Sequence, residues 1–335
     1  MNALVASTIV DVDGLEELSE AWWTLWAQTP AATPFQSPAW VLAWWRAFHP
    51  GTLAVVAVHD GCRLVALAPL YLEHGDLGVR LLPIGIGVSD YCDVLIAPET
   101  SGADTMIVAC CESLTSWRVW ELSNSRADAA ARHLQPPART RAIVRDGDVC
   151  PVLTIPADAR GLDDIVPAFQ RRKLRMARHR LNRRGLWRVL GTDAMPPADW
   201  LAALGRLHAA RWRSRGETGV LADARMQTLL ALALPELMAR GLLRCWAIEI
   251  GGRLAGVYLG FHHAGTAYAW LGGFDPEFAA FSPGAVLMGH AIEAAVLEGA
   301  ETFDFLRGRE PYKYRWGAQD RGTHTLAFVR TDHAD

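Results

Sequence analysis

The sequence predicts a mixed α/β fold, built of mostly antiparallel sheets flanked by helices, and three observations carry that expectation. From residue 243 onward the pattern reads strand, strand, strand, capped helix, strand, and then a polar and aromatic turn. An antiparallel group followed by a helical crossover and a further strand makes a mixed sheet rather than a doubly wound parallel one. Two hairpin signals, Asp60-Gly61-Cys62-Arg63-Leu64-Val65-Ala66 and Ile250-Gly251-Gly252-Arg253-Leu254-Ala255-Gly256, stand 190 residues apart, about one domain length, and hint at an internal duplication. The 335 residues suffice for two domains, with a boundary expected between 150 and 165, giving 1–160 and 161–335.

The elements follow in order. Residues 15–28 and 38–48 have apolar spacings of three and four that predict helices, and Ser37-Pro38 suits a helix start. Their tryptophans (Trp22, Trp23, Trp26, Trp40, Trp44, Trp45) are expected in the core, because large aromatics supply burial first. Runs 53–58 and 64–71 form the first hairpin. The stretch from Ile84 to Leu95 is a glycine-punctuated turn leading into a strand; Ser89, Asp90 and Asp93 either face a cleft or belong to a simple polar turn. Its G-x-G is too short for a dinucleotide fingerprint. A helix over 103–116 and a strand over 117–122 follow.

Between Ile165 and Thr192 there is no acid, while Arg171, Arg172, Lys173, Arg175, Arg178, Arg180, Arg183, Arg184 and Arg188 supply positive charge. Leu174, Ala177 and Leu181 share one helical face, so this is an amphipathic basic helix ending at Gly185. It reads either as a phosphate or nucleic-acid surface or as a solvated face that balances an acidic first half. Helices over 199–215 and 223–240 come next, with His208 and Trp212 on the first. After the second hairpin and a strand over 266–272, Ser282-Pro283 opens a helix that Gly299 closes. Small residues at Gly284 and Ala285 leave its first amides approachable, as a pyrophosphate requires, although a well-capped helix needs the same residues without any ligand.

The stretch Thr302 to Gly317 is the densest in chemistry. An alternating strand, Phe303 to Leu306, runs into a turn that carries Arg307, Arg309, Glu310, Tyr312, Lys313 and Arg315. Lys313 is one of only two lysines, the other being Lys173. Such a cluster is a candidate site, and structural ion-pair networks imitate sites.

Composition narrows the function classes. The formal net charge of -3 hides 9 basic and 17 acidic residues in 1–150 against 24 and 19 in 151–335, so the second half is the better host for an anionic ligand. Six scattered cysteines without a C-x-x-C pair argue against a zinc site or a disulfide framework and suit a reducing compartment. No apolar run reaches membrane-spanning length and no signal peptide is evident, so a cytoplasmic protein is expected.

Phe281-Ser282-Pro283-Gly284 and the run from Phe303 to Ala318 resemble the signature of the cellulose-biosynthesis-type (CelD-like) acetyltransferases of the GNAT superfamily. The similarity extends to the basic helix, to Leu207-His208-Ala209-Ala210-Arg211-Trp212, to the turn Gly272 to Pro276 and, more loosely, to Pro34 to Pro38 and Ser89-Asp90-Tyr91. The resemblance implies two tandem GNAT-like domains arranged as in Fem-type peptidoglycan transferases. It also implies transfer from acetyl-CoA or another acyl-CoA, without a metal, to an amine of a small-molecule, sugar or peptide acceptor. One departure is Arg309, where the family commonly has an acid.

Such chemistry is direct attack of an amine on a thioester, in which positioning contributes up to about 7–11 kcal/mol and acid–base help roughly 10²–10⁴-fold. The roles expected are Glu310 as base and Tyr312 as proton donor to the thiolate. Ser282, Gly284, Ala285, Val286, Arg307 and Lys313 are expected to hold the donor, and Asp90, Tyr91, Asp93 and Trp212 the acceptor. Asp304 is expected to be a buried anchor. Two other readings stand beside this one. One is a Fem-like transferase fed by aminoacyl-tRNA, with the basic helix on the RNA backbone; the other is a non-catalytic GNAT-like partner in polysaccharide or envelope biosynthesis.

Overall fold

A computed structural model describes residues 3–114 and 116–331, which fall into two units: residues up to Asp148 together with those from Gly322, and Val149–Arg321. The division therefore lies at Asp148/Val149 rather than at 160, and the chain end returns to the first unit. The chain leaves that unit and re-enters it within strands, which turn and composition signals do not mark.

The first unit contains β1 (Leu4–Ile9), α1 (Val12–Glu17), α2 (Ser19–Gln28), α3 (Pro38–Phe48), β2 (Thr52–Leu53), β3 (Val55–Asp60), β4 (Arg63–Ala68), β5 (Leu70–Gly75), β6 (Gly78–Pro83), β7 (Leu95–Ile96), α4 (Ala103–Ser113), β8 (Trp117–Ser125) and the start of β9 (Thr140–Thr154). The second contains the end of β9, α5 (Leu162–Ile165), α6 (Ala168–Arg184), β10 (Trp187–Leu190), α7 (Pro197–Arg213), α8 (Ala224–Ala239), β11 (Leu243–Ile250), β12 (Arg253–His263), β13 (Thr266–Phe274), α9 (Pro283–Leu297), β14 (Thr302–Asp304), α10 (Pro311–Arg315) and the start of β15 (Gln319–Arg330). The fold is mixed α/β, with sheets flanked by helices.

In the first unit one sheet has the order β1-β3-β4-β7, and the other runs β15-β8-β6-β5-β2. The six tryptophans of α2 and α3 are all buried, as expected. Three of them have their polar ends satisfied: Trp22 Nε1 donates to Gln36 O at 3.0 Å, Trp26 Nε1 to Thr33 O at 2.8 Å and Trp40 Nε1 to Ser89 Oγ at 2.9 Å, whereas Trp44 Nε1 has no partner among the described residues. Ser37 caps α3, whose first residue is Pro38.

In the second unit the order is β10-β11-β12-β13-β14-β9. The expected hairpin pairs Ile250 with Arg253 and carries a bulge between Ile248 and Glu249. The first-unit hairpin pairs Asp60 with Arg63 and carries the same irregularity between Val58 and His59, again 190 residues earlier. A shared bulge is a stronger mark of duplication than the turn itself, since bulges are designed features and tight turns are common. Each unit also has a parallel strand pair spanned by a helix, β6 and β8 by α4, β13 and β14 by α9.

The basic helix forms over Ala168–Arg184 and ends at Gly185. Leu174, Ala177 and Leu181 pack into the core of the second unit together with Val286, Ile292 and Ala295 of α9. Arg178 pairs bidentately with Glu293, at 3.0 and 2.5 Å, and Arg171 pairs with Asp163. Arg172, Lys173, Arg175, Arg183 and Arg184 are exposed. At Gly273, a Cβ would lie 2.7 Å from His208 Cα, so only glycine lets α7 lie directly on β13.

Candidate active site

Strands β13 and β14 share a ladder for only three positions, ending at Tyr268 opposite Asp304. Beyond it they part. β13 continues as the partner of β12, with Gly272 opposite Tyr258 and Phe274 opposite Gly256. The chain after β14 stays with β9 instead: Phe305 N–H donates to Pro151 O at 2.9 Å and Gly308 N–H to Val149 O at 3.0 Å. Two strand edges thus face a widening gap, and such edges are templates for an extended chain. At its mouth the β12/β13 register shifts from Gly260–Ala269 to Leu259–Leu271, leaving Trp270 as the extra residue of a bulge.

One wall of the gap is the turn after β14, which its own side chains build. Leu306 has φ of +58°, a conformation costly for a branched side chain. Asp304, fully buried, accepts from Leu306 N–H at 2.7 Å and faces Arg321 at 3.9 Å. The Lys313 ammonium, 2% exposed, donates to Leu306 O at 2.9 Å, Arg307 O at 2.6 Å and Gly308 O at 3.1 Å, and pairs with Glu310 Oε2 at 2.9 Å. Asp304 is therefore the anchor that the sequence suggested. Lys313 departs from its expected part: its donors serve the turn, because three carbonyls converge where its side chain ends.

Glu310 keeps a half-exposed carboxylate at this turn, held on one side by Lys313. Tyr312, in the first turn of α10, has its hydroxyl pushed up to about 12, first by desolvation and then by the Glu310 charge, with Arg211 pulling the other way. It is a phenol, not a phenolate, at neutral pH. Tyr258 in β12 is buried, and burial raises its hydroxyl too, with the Tyr312 charge adding to the effect. Tyr314 is committed elsewhere, donating to Asp320 at 2.7 Å.

The end of α7 brings a second group of residues to β13. His208, Arg211 and Trp212 lie at helical spacings of three and four, on one face. Arg211 donates weakly to Gly272 O at 3.4 Å and lies over the rings of Trp212 and Phe274, at 5.6 and 5.7 Å. Its pKa is lowered by desolvation first and by Arg215 second, while Tyr312 and Glu310 raise it. His208 is 2% exposed and tilted against Trp212 at 5.8 Å; burial and the Arg211 charge push it down to about 4, so it is neutral at pH 7. Gly219, at φ of +71°, presses on both rings: a Cβ there would lie 2.5 Å from Trp212 Cδ1 and would collide with His208 Cε1. A groove of about 440 Å³ runs along α7, lined by Leu201, Gly205, His208, Thr218, Leu221 and Gln227 among others.

The remaining candidate residues fall as follows. Ser282 stands at the N-cap of α9 in a left-handed conformation, φ of +55°, and its side chain makes no capping bond. Its carbonyl accepts both from Ala285 N–H at 3.0 Å and from Val286 N–H at 3.1 Å, so the amides expected to be free at those two positions already have a partner. Val286 is also buried, whereas Gly284 is exposed and its N–H has no protein partner among the described residues. Arg307 is half-buried on the turn. Trp212 joins the site through Arg211.

Asp90, Tyr91 and Asp93 lie inside the first unit, 6%, 1% and 7% exposed. Asp93 accepts from Val94, Ala130 and Ala131 N–H at 2.8, 3.0 and 2.8 Å and so caps the turn at Ala130–His133. Tyr91 packs on Phe35, and its carbonyl accepts from Gln36 at 2.8 Å. Asp93 holds the loop itself and all three residues are buried, a correction to their expected exposure to an acceptor.

The sequence reading missed Arg211 and Tyr258. Arg211 had a signal, since it shares a helical face with His208 and Trp212; Tyr258 sits in an unbroken apolar strand and had none. Among the described residues no cluster of histidine, cysteine or acid is placed to hold a metal, and no helix is long and apolar enough to cross a membrane.

Comparison with known proteins agrees with this geometry. Residues 168–314 match the family model of the acetyltransferase (GNAT) domain. No curated protein sequence matches the chain. Among solved structures, FemX superposes with a TM-score of 0.65 at 10% identity, covering 92% of this chain and 95% of FemX. A conserved protein of unknown function from Bacteroides thetaiotaomicron gives 0.60 at 12%, covering 96% and 100%. The L-PGS of Bacillus licheniformis gives 0.57 at 11%, covering 94% and 92%. Identities this low establish a shared fold and no more. Residues 168–314 of the second unit thus match an acetyltransferase (GNAT) domain, which supports a transferase.

Proposed function

We propose that the chain is an acyl-CoA-dependent N-acyltransferase of the CelD-like kind, and that the gap between β13 and β14 receives the donor. The observation that carries this reading is the gap itself, with Tyr312 and Glu310 on the turn beside it. The pantetheine arm would lie as an added strand against the β13 edge. Its pyrophosphate would reach the start of α9, where Gly284 offers an amide and no side chain. Arg307 is the cation of the turn assigned to it. Lys313 has a positioning role, holding Glu310 and the turn.

In the reaction the acceptor amine attacks the thioester carbonyl. Glu310, directly or through a water, takes the amine's proton. The tetrahedral centre collapses with cleavage of the C–S bond, and the departing thiolate takes its proton from the Tyr312 hydroxyl. A phenol raised to about 12 remains protonated throughout the working pH range, so its proton is in place when the thiolate departs.

Calorimetric titration with acetyl-CoA tests the donor, and no heat at hundreds of micromolar would sink the reading. Tyr312→Phe should lower kcat by about 10²–10⁴-fold, the general-acid range, while leaving acetyl-CoA affinity within about twofold. Glu310→Gln with undiminished turnover would remove Glu310 from the base role.

A second reading, transfer from aminoacyl-tRNA, is supported by one observation: Arg172, Lys173, Arg175, Arg183 and Arg184 of α6 are exposed. Its binding would fall steeply with salt. Retention of tRNA on a filter at low salt, together with no acetyl-CoA heat, would favour it over the acyl-CoA reading.

A further inference from the structure

Resting on the acyltransferase reading, we propose that Arg211 and Arg215, both beside the Trp212 indole, bind a carboxylate of the acceptor. The amine acylated at this site then belongs to a carboxylate-bearing molecule of the amino-acid or short-peptide class.

The geometry is that of two cations awaiting an anion. Arg211 and Arg215 lie 5.6 and 5.7 Å from the centre of one ring. The Arg215 charge disfavours the charged Arg211 guanidinium, and neither side chain forms an ion pair among the described residues. Arg211 is half-buried, and a desolvated charge without a partner is costly. Its Nε and the Trp212 Nε1 are both donors, both buried, and both without a hydrogen-bond partner. Neighbouring groups compensate only in part, the Glu310 charge favouring the guanidinium without forming an ion pair with it. His208 is neutral, and the Glu310 carboxylate is held by Lys313 at 2.9 Å. A planar carboxylate suits this set because a guanidinium fork can grip it with two parallel bonds.

The position favours the acceptor over the donor phosphates. Arg211 bonds the Gly272 carbonyl and lies within the electrostatic reach of Tyr312 and Glu310, the groups assigned to proton transfer. An anion seated there places the rest of its molecule beside the reacting thioester.

The test uses the full chain and matched pairs: the common amino acids with their carboxamides, and small dipeptides with their C-terminal amides, followed by thermal shift and calorimetry. At least one acid should bind about 10–100-fold tighter than its amide, the range for charge-assisted hydrogen bonds. Arg211→Gln should abolish that preference with acetyl-CoA affinity unchanged, Arg211→Lys should restore part of it, and the exposed Arg215→Gln should weaken it without loss of folding. If no acid outbinds its amide, the proposal fails. If Arg211→Gln instead weakens acetyl-CoA about tenfold and leaves the acid preference intact, the anion is the donor's phosphate and the proposal fails as well. The acid preference is read without donor, so absent acetyl-CoA binding would overturn the acyl-CoA reading alone.

Discussion

Replacing Lys313 by methionine separates its two possible roles. Methionine keeps the stem and the volume but removes the ammonium, which satisfies Leu306 O, Arg307 O and Gly308 O and pairs with Glu310. Leu306 is buried, so its carbonyl would lose its partner without access to water, at a cost of about 1–3 kcal/mol. Arg307 and Gly308 are half-exposed and would recover most of their loss by hydration, and the Glu310 pair is half-exposed and contributes little. The strained φ at Leu306 would then be held by Asp304 alone. A total near 3 kcal/mol corresponds to roughly 6–12 °C in Tm for a unit of this size. The assay is differential scanning fluorimetry beside acetyl-CoA calorimetry. The expected result is a clear fall in Tm and in kcat, with acetyl-CoA affinity within threefold. An unchanged Tm with a tenfold loss of acetyl-CoA affinity would refute the argument and return Lys313 to phosphate binding.

Other consequences are as direct. His208 is held near 4 against about 6.5 when unfolded, so the folded state disfavours its proton; its stability contribution is intact above pH 6.5 and is lost as pH falls from 6.5 toward 4, by up to about 3 kcal/mol. Urea midpoints measured across that window should fall, and His208→Gln should flatten the dependence. Gly219→Ala forces a Cβ into the Trp212 and His208 rings at a left-handed φ, so the Trp212 environment should change and stability should drop by at least about 2 kcal/mol, read by tryptophan fluorescence and urea melts. Tyr312→Phe, as above, should act on kcat and not on donor affinity.

Much of this chain was legible because its signals are local. The 3.6-residue period of Leu174, Ala177 and Leu181 placed a helix, and Ser37-Pro38 started another where the structure has it. The two hairpins were visible as turns, although the shared bulge that makes them persuasive appears only in the strand register. The polar turn at Arg307–Arg315 stood out by composition. Ser282 misled for a physical reason: a capping residue in sequence is not one in space when its backbone is left-handed.

The sequence by itself determined where helices and strands run, that a parallel pair bridged by a helix ends in a charged turn, and that the second half carries the positive charge, since these follow from periodicity, turn chemistry and composition. Only the tertiary structure decided which charges are spent and which are spare. Lys313 is enclosed by carbonyls that a left-handed Leu306 brings together, and Asp93 is consumed by amides of a turn 37 and 38 residues away. Arg211 is left without an ion pair on a face that meets β13 some 61 residues later. Pairing depends on distance and burial between segments remote in the chain, and no local pattern encodes either.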